Sequence, residues 1–158
     1  ALMRIDCVYK PFHESLKHVI ARTHARFGHA VLVDCHSMPA SIRIGDNGMR
    51  PDFIVGDRFG SSASSAVSEC AIALLMAMGY AVGHNKPYAG GFITEHYGRP
   101  ARGLHAIQIE VNRGLYMNER TLQRSSGFDA LARDIARFCA DLMALPEAAL
   151  GELPLAAE

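Results

Sequence analysis

The pattern of the chain predicts an α/β fold. Three observations carry it: apolar runs of strand length, of which Ala30 to Pro39 is the first; segments with helical spacing between those runs; and a second long strand pattern at Leu104 to Arg113 with polar residues on one face. With 158 residues, 49% of them hydrophobic, the chain has the size of one domain and can bury a real core.

In chain order, Ala1 to Lys10 carries no helix start signal and reads as the tail of something preceding it. Pro11 suits a first helical position and Glu14 complements the first turn. Phe12, Leu16, Val19, Ile20 and Phe27 then follow helical spacing up to Gly28, a natural terminator. His13, His18, His24 and His29 do not stack on one face of that helix, so they read as solvent-facing or capping.

The run from Ala30 to Val33, followed by Asp34 and His36, reads as a buried strand that ends in polar chemistry. Period-two alternation gives Val31, Val33 and Cys35 to one face and Leu32, Asp34 and His36 to the other. Pro39 forbids continuation. Ligands of open α/β sheets lie beyond the carboxyl ends of strands, where this acid and imidazole would sit side by side; a pair that only caps a loop is the alternative.

After the polar loop Ala40 to Pro51, Phe53 to Val55 is a short buried strand ending in Gly56-Asp57-Arg58. Arg58 is placed either to clamp a carboxylate with both arms of its guanidinium or to pair with Asp57 or Asp34. Gly60 to Ser65 is a local Gly/Ser-rich loop. Ser64 or Ser65 caps a helix whose stripe is Val67, Cys70, Ala71, Leu74, Leu75 and Met78, ended by Gly79. Tyr80 to His84 is a third strand. It empties into Asn85 to Arg99, a loop rich in groups that recognise substrates, with Asn85, Tyr88, His96, Tyr97 and Arg99 around a Gly-Gly hinge. A flexible lid is one reading and a turn-rich surface connection the other.

In Leu104 to Arg113, His105, Ile107, Ile109 and Val111 share one face, and Gln108, Glu110 and Asn112 the opposite one. Three polar residues on one face of a central strand point to a wet or metal-bearing site, with an exposed edge-strand face as the rival. Phe128, Leu131, Ile135, Phe138 and Leu142 make the stripe of a last amphipathic helix, and Pro146 to Glu158 reads as a frayed tail.

Lys plus Arg balances Asp plus Glu at 16 each, so no global field points to nucleic acid or an anionic membrane, and a small-molecule ligand is expected. Cys7, Cys35, Cys70 and Cys139 show no paired spacing, and Cys35, Cys70 and Cys139 lie in apolar-patterned segments, so they read as reduced core residues rather than disulfides or a zinc knuckle. No run approaches a membrane span and no basic-then-apolar leader opens the chain; a soluble, cytoplasmic protein is expected.

His36 with Asp34 and Glu110 with Gln108 together point to metal-assisted hydrolysis, because imidazole suits zinc and a buried carboxylate can pass a proton from water to a leaving amine. No His-Glu-x-x-His pair completes a ligand set. His84 or His105 are open as partners of His36, but no spacing compels either.

Asp34-Cys-His-Ser-Met-Pro39, Val55-Gly-Asp-Arg58, Asn85 to Thr94, His96-Tyr-Gly-Arg-Pro100, and His105 to Arg113 followed by Leu115-Tyr-Met117 resemble, in this order, the N-formylglutamate amidohydrolase family. The resemblance implies a mixed, mainly parallel sheet flanked by helices, like the zinc carboxypeptidases and the wider phosphorylase/hydrolase-like group. It implies hydrolysis of N-formyl-L-glutamate to formate and glutamate, a step of histidine degradation. His36 would be a zinc ligand and Glu110 the general base, while Arg58, Asn85, Tyr88 and Tyr97 would hold the substrate carboxylates or the scissile carbonyl.

Family members are considerably longer. Residues 1–158 are therefore expected to be the C-terminal portion of a single amidohydrolase domain, incomplete at the N-terminus, with the first two metal ligands preceding Ala1. Such a segment should leave a sheet edge unpaired and self-associate. An amidohydrolase of another N-acyl amino acid and a non-catalytic small-molecule-binding remnant are the alternatives.

Overall fold

The computed structural model describes residues 2–45, 48–146 and 150. The chain opens as one helical run, α1 (Leu2–Arg4), a π turn (Ile5–Tyr9) and α2 (Lys10–Phe27). The segment before Pro11 is therefore helical rather than a plain tail. The wide π turn sits where Pro11, which cannot donate and whose ring crowds the preceding turn, would otherwise clash. Gly28 ends the run as expected, at φ +75° with its N–H donated to the His24 carbonyl at 2.7 Å.

The stripe assigned to α2 is only half used. Leu16 and Ile20 are half-buried, Phe12, Val19 and Phe27 are exposed, and the buried side chain is His13.

The strands are β1 (Ala30–Met38), β2 (Phe53–Gly56), β3 (Val82–His84) and β4 (Leu104–Asn112), in spatial order β1-β4-β2-β3. β1 pairs parallel to β4 and β2 parallel to β3, while β2 and β4 run antiparallel, so the sheet is mixed and mainly parallel. Helix α3 (Ser65–Ala77) and helix α5 (Phe128–Met143) cover one face. Val67, Ala71 and Leu75 of α3 meet Leu131, Phe138 and Leu142 of α5 over Phe53, Val55, Ile107, Ile109 and Val111. Each such buried side chain contributes roughly 1.5–3 kcal/mol relative to exposure.

Ser64 takes the N-cap position of α3, but its hydroxyl is buried without a hydrogen bond; its backbone N–H goes to His105 Nδ1 at 3.2 Å instead. The phenol of Tyr80 donates to Asp134 Oδ2 at 2.6 Å, tying the entry of β3 to α5, and burial together with that carboxylate pushes its pKa up to about 12.

The opposite face of the sheet carries Asp34, His36, Gln108, Glu110 and Asn112 beside the buried Met38, Ile54 and Ala106. The segment expected as a flexible lid lies over it and contains helix α4 (Phe92–Tyr97). Packing requires glycine at two places there: a Cβ on Gly90 would stand 2.5 Å from Thr94 Oγ1, and one on Gly56 beneath it 2.6 Å from the Ala89 carbonyl carbon. The frayed tail expected at 146–158 lies, apart from Pro146 and Leu150, outside the described residues.

Candidate active site

Parallel pairing sets the site. The register places Asp34 beside Gln108 and His36 beside Glu110, so the two polar strand faces read separately from the sequence become one surface. Asp34 Oδ2 lies 3.1 Å from His36 Nε2 and fixes the ring's direction. Gln108 bridges upward and sideways: its Oε1 accepts from the Gly91 N–H at 2.8 Å and its Nε2 donates to Glu110 Oε1 at 2.8 Å. The other Glu110 oxygen has no hydrogen bond from the described residues.

Glu110 is only 5% exposed. Burial pushes its carboxyl above the ordinary range, against the opposing pull of His36, the Gln108 hydrogen bond and Arg113, while Asp34 adds to the rise. The three polar residues of β4 are thus buried, not the wet face of an edge strand. Asn112, the third, is saturated, with Nδ2 donating to the Pro51 carbonyl and Oδ1 accepting from Gly114.

The other predicted residues separate into engaged and available. Arg58 has a backbone φ of +53° and sends its guanidinium over Gly90, with Nη1 3.4 Å from the Gly90 carbonyl and Nη2 3.4 Å from Glu95 Oε2. Both contacts are long, so its donor capacity remains largely free. Arg113 is committed elsewhere, to the Ser37 hydroxyl, the Ser37 carbonyl and Glu119, where it anchors the end of β1 just past His36. Arg99 bonds the carbonyls of Glu95 and Gly98. Tyr88 is half-buried with no hydrogen bond to the described residues. Tyr97 is buried, and its hydroxyl lies 2.5 Å from His13 Nδ1 on α2. Asn85 is buried and fully engaged with Asp57, as described below.

His84 and His105 do not join His36. His84 Nε2 lies 3.1 Å from Asp57 Oδ2. His105 is buried on the core face with Nδ1 taking the Ser64 N–H and Nε2 2.8 Å from the Leu150 carbonyl, and burial lowers its pKa, so it stays neutral with both nitrogens used. Among the described residues no group of three His, Cys, Asp or Glu side chains stands close enough to hold a metal ion. A catalytic zinc takes three protein ligands, so the described donors do not by themselves fit one. Asp57 and Gln108, which the sequence placed beside Arg58 and Glu110, are tied by hydrogen bonds into the site, while Cys35, expected as a core thiol, is exposed.

A family model for N-formylglutamate amidohydrolase matches residues 1–117. The chain is 36% identical over 114 residues to an N-formylglutamate deformylase of Pseudomonas aeruginosa and 35% identical over 120 residues to one of Pseudomonas putida. Those matches take in 72% and 73% of this chain but 43% of each relative, so the chain spans less than half the length of these relatives. The fold superposes on a crystal structure of N-formylglutamate amidohydrolase from Ralstonia eutropha with a TM-score of 0.83 at 32% identity, over 89% of this chain and 52% of that one. A gene product of Agrobacterium tumefaciens shares the fold at a TM-score of 0.61 and 19% identity, over 90% of this chain and 53% of that one.

Proposed function

The chain belongs to the N-formylglutamate amidohydrolase family, and from that membership we propose that it carries the general base and the carboxylate-binding side of a site that hydrolyses N-formyl-L-glutamate to formate and L-glutamate. The observation that carries the reading is the register of β1 against β4, which brings Asp34, His36, Gln108 and Glu110 onto one face with Glu110 buried. Water attacks the formyl carbon while Glu110 takes its proton; the carbon–nitrogen bond then breaks as Glu110 returns that proton to the leaving amine. A carboxylate held above its ordinary pKa suits both halves of this transfer. Gln108 fixes one Glu110 oxygen and leaves the other for water. Arg58 takes a substrate carboxylate through its free donors, and Tyr88 offers an unengaged hydroxyl. Asn85 and Tyr97 support the site from behind, since their polar atoms already have partners.

The family resemblance carries zinc into this reading. His36 is the ligand this sequence offers, with the remaining ligands supplied from outside the described residues. In a form that carries those ligands, metal content by plasma emission should fall in His36→Ala relative to the parent; equal metal in both would remove His36 from the ligand set. A role in histidine degradation follows from the substrate and rests on the same test of activity. The unpaired outer edge of β1 and the exposed Phe12, Val19 and Phe27 favour self-association, which sedimentation measures. No helix among the described residues is long and apolar enough to cross a membrane.

The deciding experiment is formate release from N-formylglutamate by a form that carries the remaining metal ligands and by its Glu110→Gln variant. Loss of about a hundredfold or more with the fold retained supports the reading. Near-normal turnover in Glu110→Gln would sink it, and no turnover in the parent protein would favour a binding role.

A further inference from the structure

The turn after β2 is held in a conformation that its residues do not choose for themselves. Arg58 and Phe59 follow each other at φ +53° and +57°, with Gly60 at +83°, and across the gap Asn85 sits at +58°. Left-handed backbone costs a non-glycine residue roughly 1–2 kcal/mol, of which the Ser61 N–H and hydroxyl, donating to the Arg58 carbonyl at 3.3 and 2.8 Å, offset a part.

The rest of the offset comes from two side chains. Asn85 Oδ1 accepts from the backbone N–H of Asp57 at 3.0 Å and makes a longer contact with that of Phe59 at 3.4 Å, one on each side of Arg58. Asn85 Nδ2 donates to Asp57 Oδ1 at 2.7 Å, and the same oxygen accepts from the Gly60 N–H at 3.0 Å. The second Asp57 oxygen faces His84 Nε2 at 3.1 Å. Asp57 is 2% exposed and Asn85 7%, so this ring of bonds is shielded from competing water. What it fixes is the direction of Arg58. The Arg58 N–H donates to the Ala89 carbonyl at 2.7 Å, its side chain crosses Gly90, and the next residue, Gly91, is bonded to the Gln108 that holds Glu110.

We infer that Asp57 and Asn85 are positioning residues for substrate recognition: by clamping the backbone on both sides of Arg58 in the left-handed conformation, they aim its guanidinium at the substrate carboxylate. This rests on the proposed hydrolysis of N-formylglutamate and on Arg58 as the carboxylate contact. A turn needed only for folding would be cheaper with glycine at 58 and 59. Strain kept at an arginine with unfilled donors marks an arginine that is used.

A double-mutant cycle tests it in the full chain, with Asn85→Gly, Arg58→Ala and the pair. Glycine at 85 tolerates the left-handed backbone and removes only the side-chain bonds. Arg58→Ala should raise KM for N-formylglutamate, Asn85→Gly should raise it about tenfold with kcat within about twofold, and the double variant should be no worse than Arg58→Ala alone. Multiplying losses in the double variant, or a loss of kcat with KM unchanged, would overturn the clamp. An unchanged KM in Arg58→Ala would overturn it too, by removing its object.

If Asn85→Gly fails to fold, Asp57→Asn, which keeps an acceptor for Gly60 and loses the charge, enters the same cycle. If the parent protein turns over no N-formylglutamate, as expected where the remaining metal ligands are missing, the cycle is read on L-glutamate binding by titration calorimetry. There the same non-additivity is expected, and additivity or absent binding overturns the proposal.

Discussion

Glu110 and Asp57 are both buried carboxylates at strand ends of one sheet, and their surroundings push them in opposite directions. Burial is the largest influence on each and acts upward on each. At Glu110 it wins over the opposing pull of His36, of one side-chain hydrogen bond from Gln108 and of Arg113. At Asp57 it loses: hydrogen bonds from Ser68, Asn85, Gly60 and His84 together hold the carboxyl below its ordinary range. The difference teaches how to tell chemistry from scaffold. A buried acid whose lone pairs are all taken is part of the framework, whereas one left with an open oxygen and a raised pKa is set to exchange a proton.

Replacing Glu110 by Gln should break the comparison most sharply. Hydrolysis should fall about a hundredfold or more while the melting temperature at neutral pH stays level or rises, since a near-isosteric amide removes a disfavoured buried charge. Kinetics and thermal unfolding on one preparation check both halves. Loss of activity together with a large loss of stability would return Glu110 to the framework.

Asp57→Ala should do the reverse to stability, costing about 3 kcal/mol by stranding the Gly60 N–H and the Asn85 amide. Its pH dependence carries the sign of the lowered pKa. The stability Asp57 contributes is complete above an unfolded aspartate's pKa of about 3.9 and is lost as pH falls through its lower folded value. The gap between parent and variant in denaturant unfolding should therefore close in acid. Glu110, raised, contributes stability that is complete below about 4.3 and lost as pH rises through its folded value, so Glu110→Gln should gain on the parent protein in that direction. A gap at position 57 that widened in acid would overturn the assignment.

Gly56→Ala touches both clusters and should have the smallest effect, about 1–3 kcal/mol. The new methyl meets the Ala89 carbonyl group and the Gly90 nitrogen, all backbone, within 2.8 Å, so the strip over Gln108 must lift. Turnover should fall along with stability, because Gly91 then loses Gln108. Full activity in a folded Gly56→Ala enzyme would separate that strip from the site.

The sequence by itself determined the elements that depend on local pattern: β1 and β4 with their alternating faces, α3 and α5 with their stripes, the stop at Gly28, and the α/β class. It also singled out His36 and Glu110, because a polar residue inside an apolar strand is visible in one dimension. Tertiary structure decided what those residues mean. Only the register of two strands about seventy positions apart in sequence sets His36 against Glu110, and nothing local encodes a register.

The same holds for Asn85 and Tyr97. They look like substrate contacts in sequence, but a side chain's availability depends on who else bonds it, and Asp57 and His13 come from distant segments. Helix α4 was illegible for a related reason, since its buried Thr94 and Tyr97 are held by what they pack beside rather than by its own propensities.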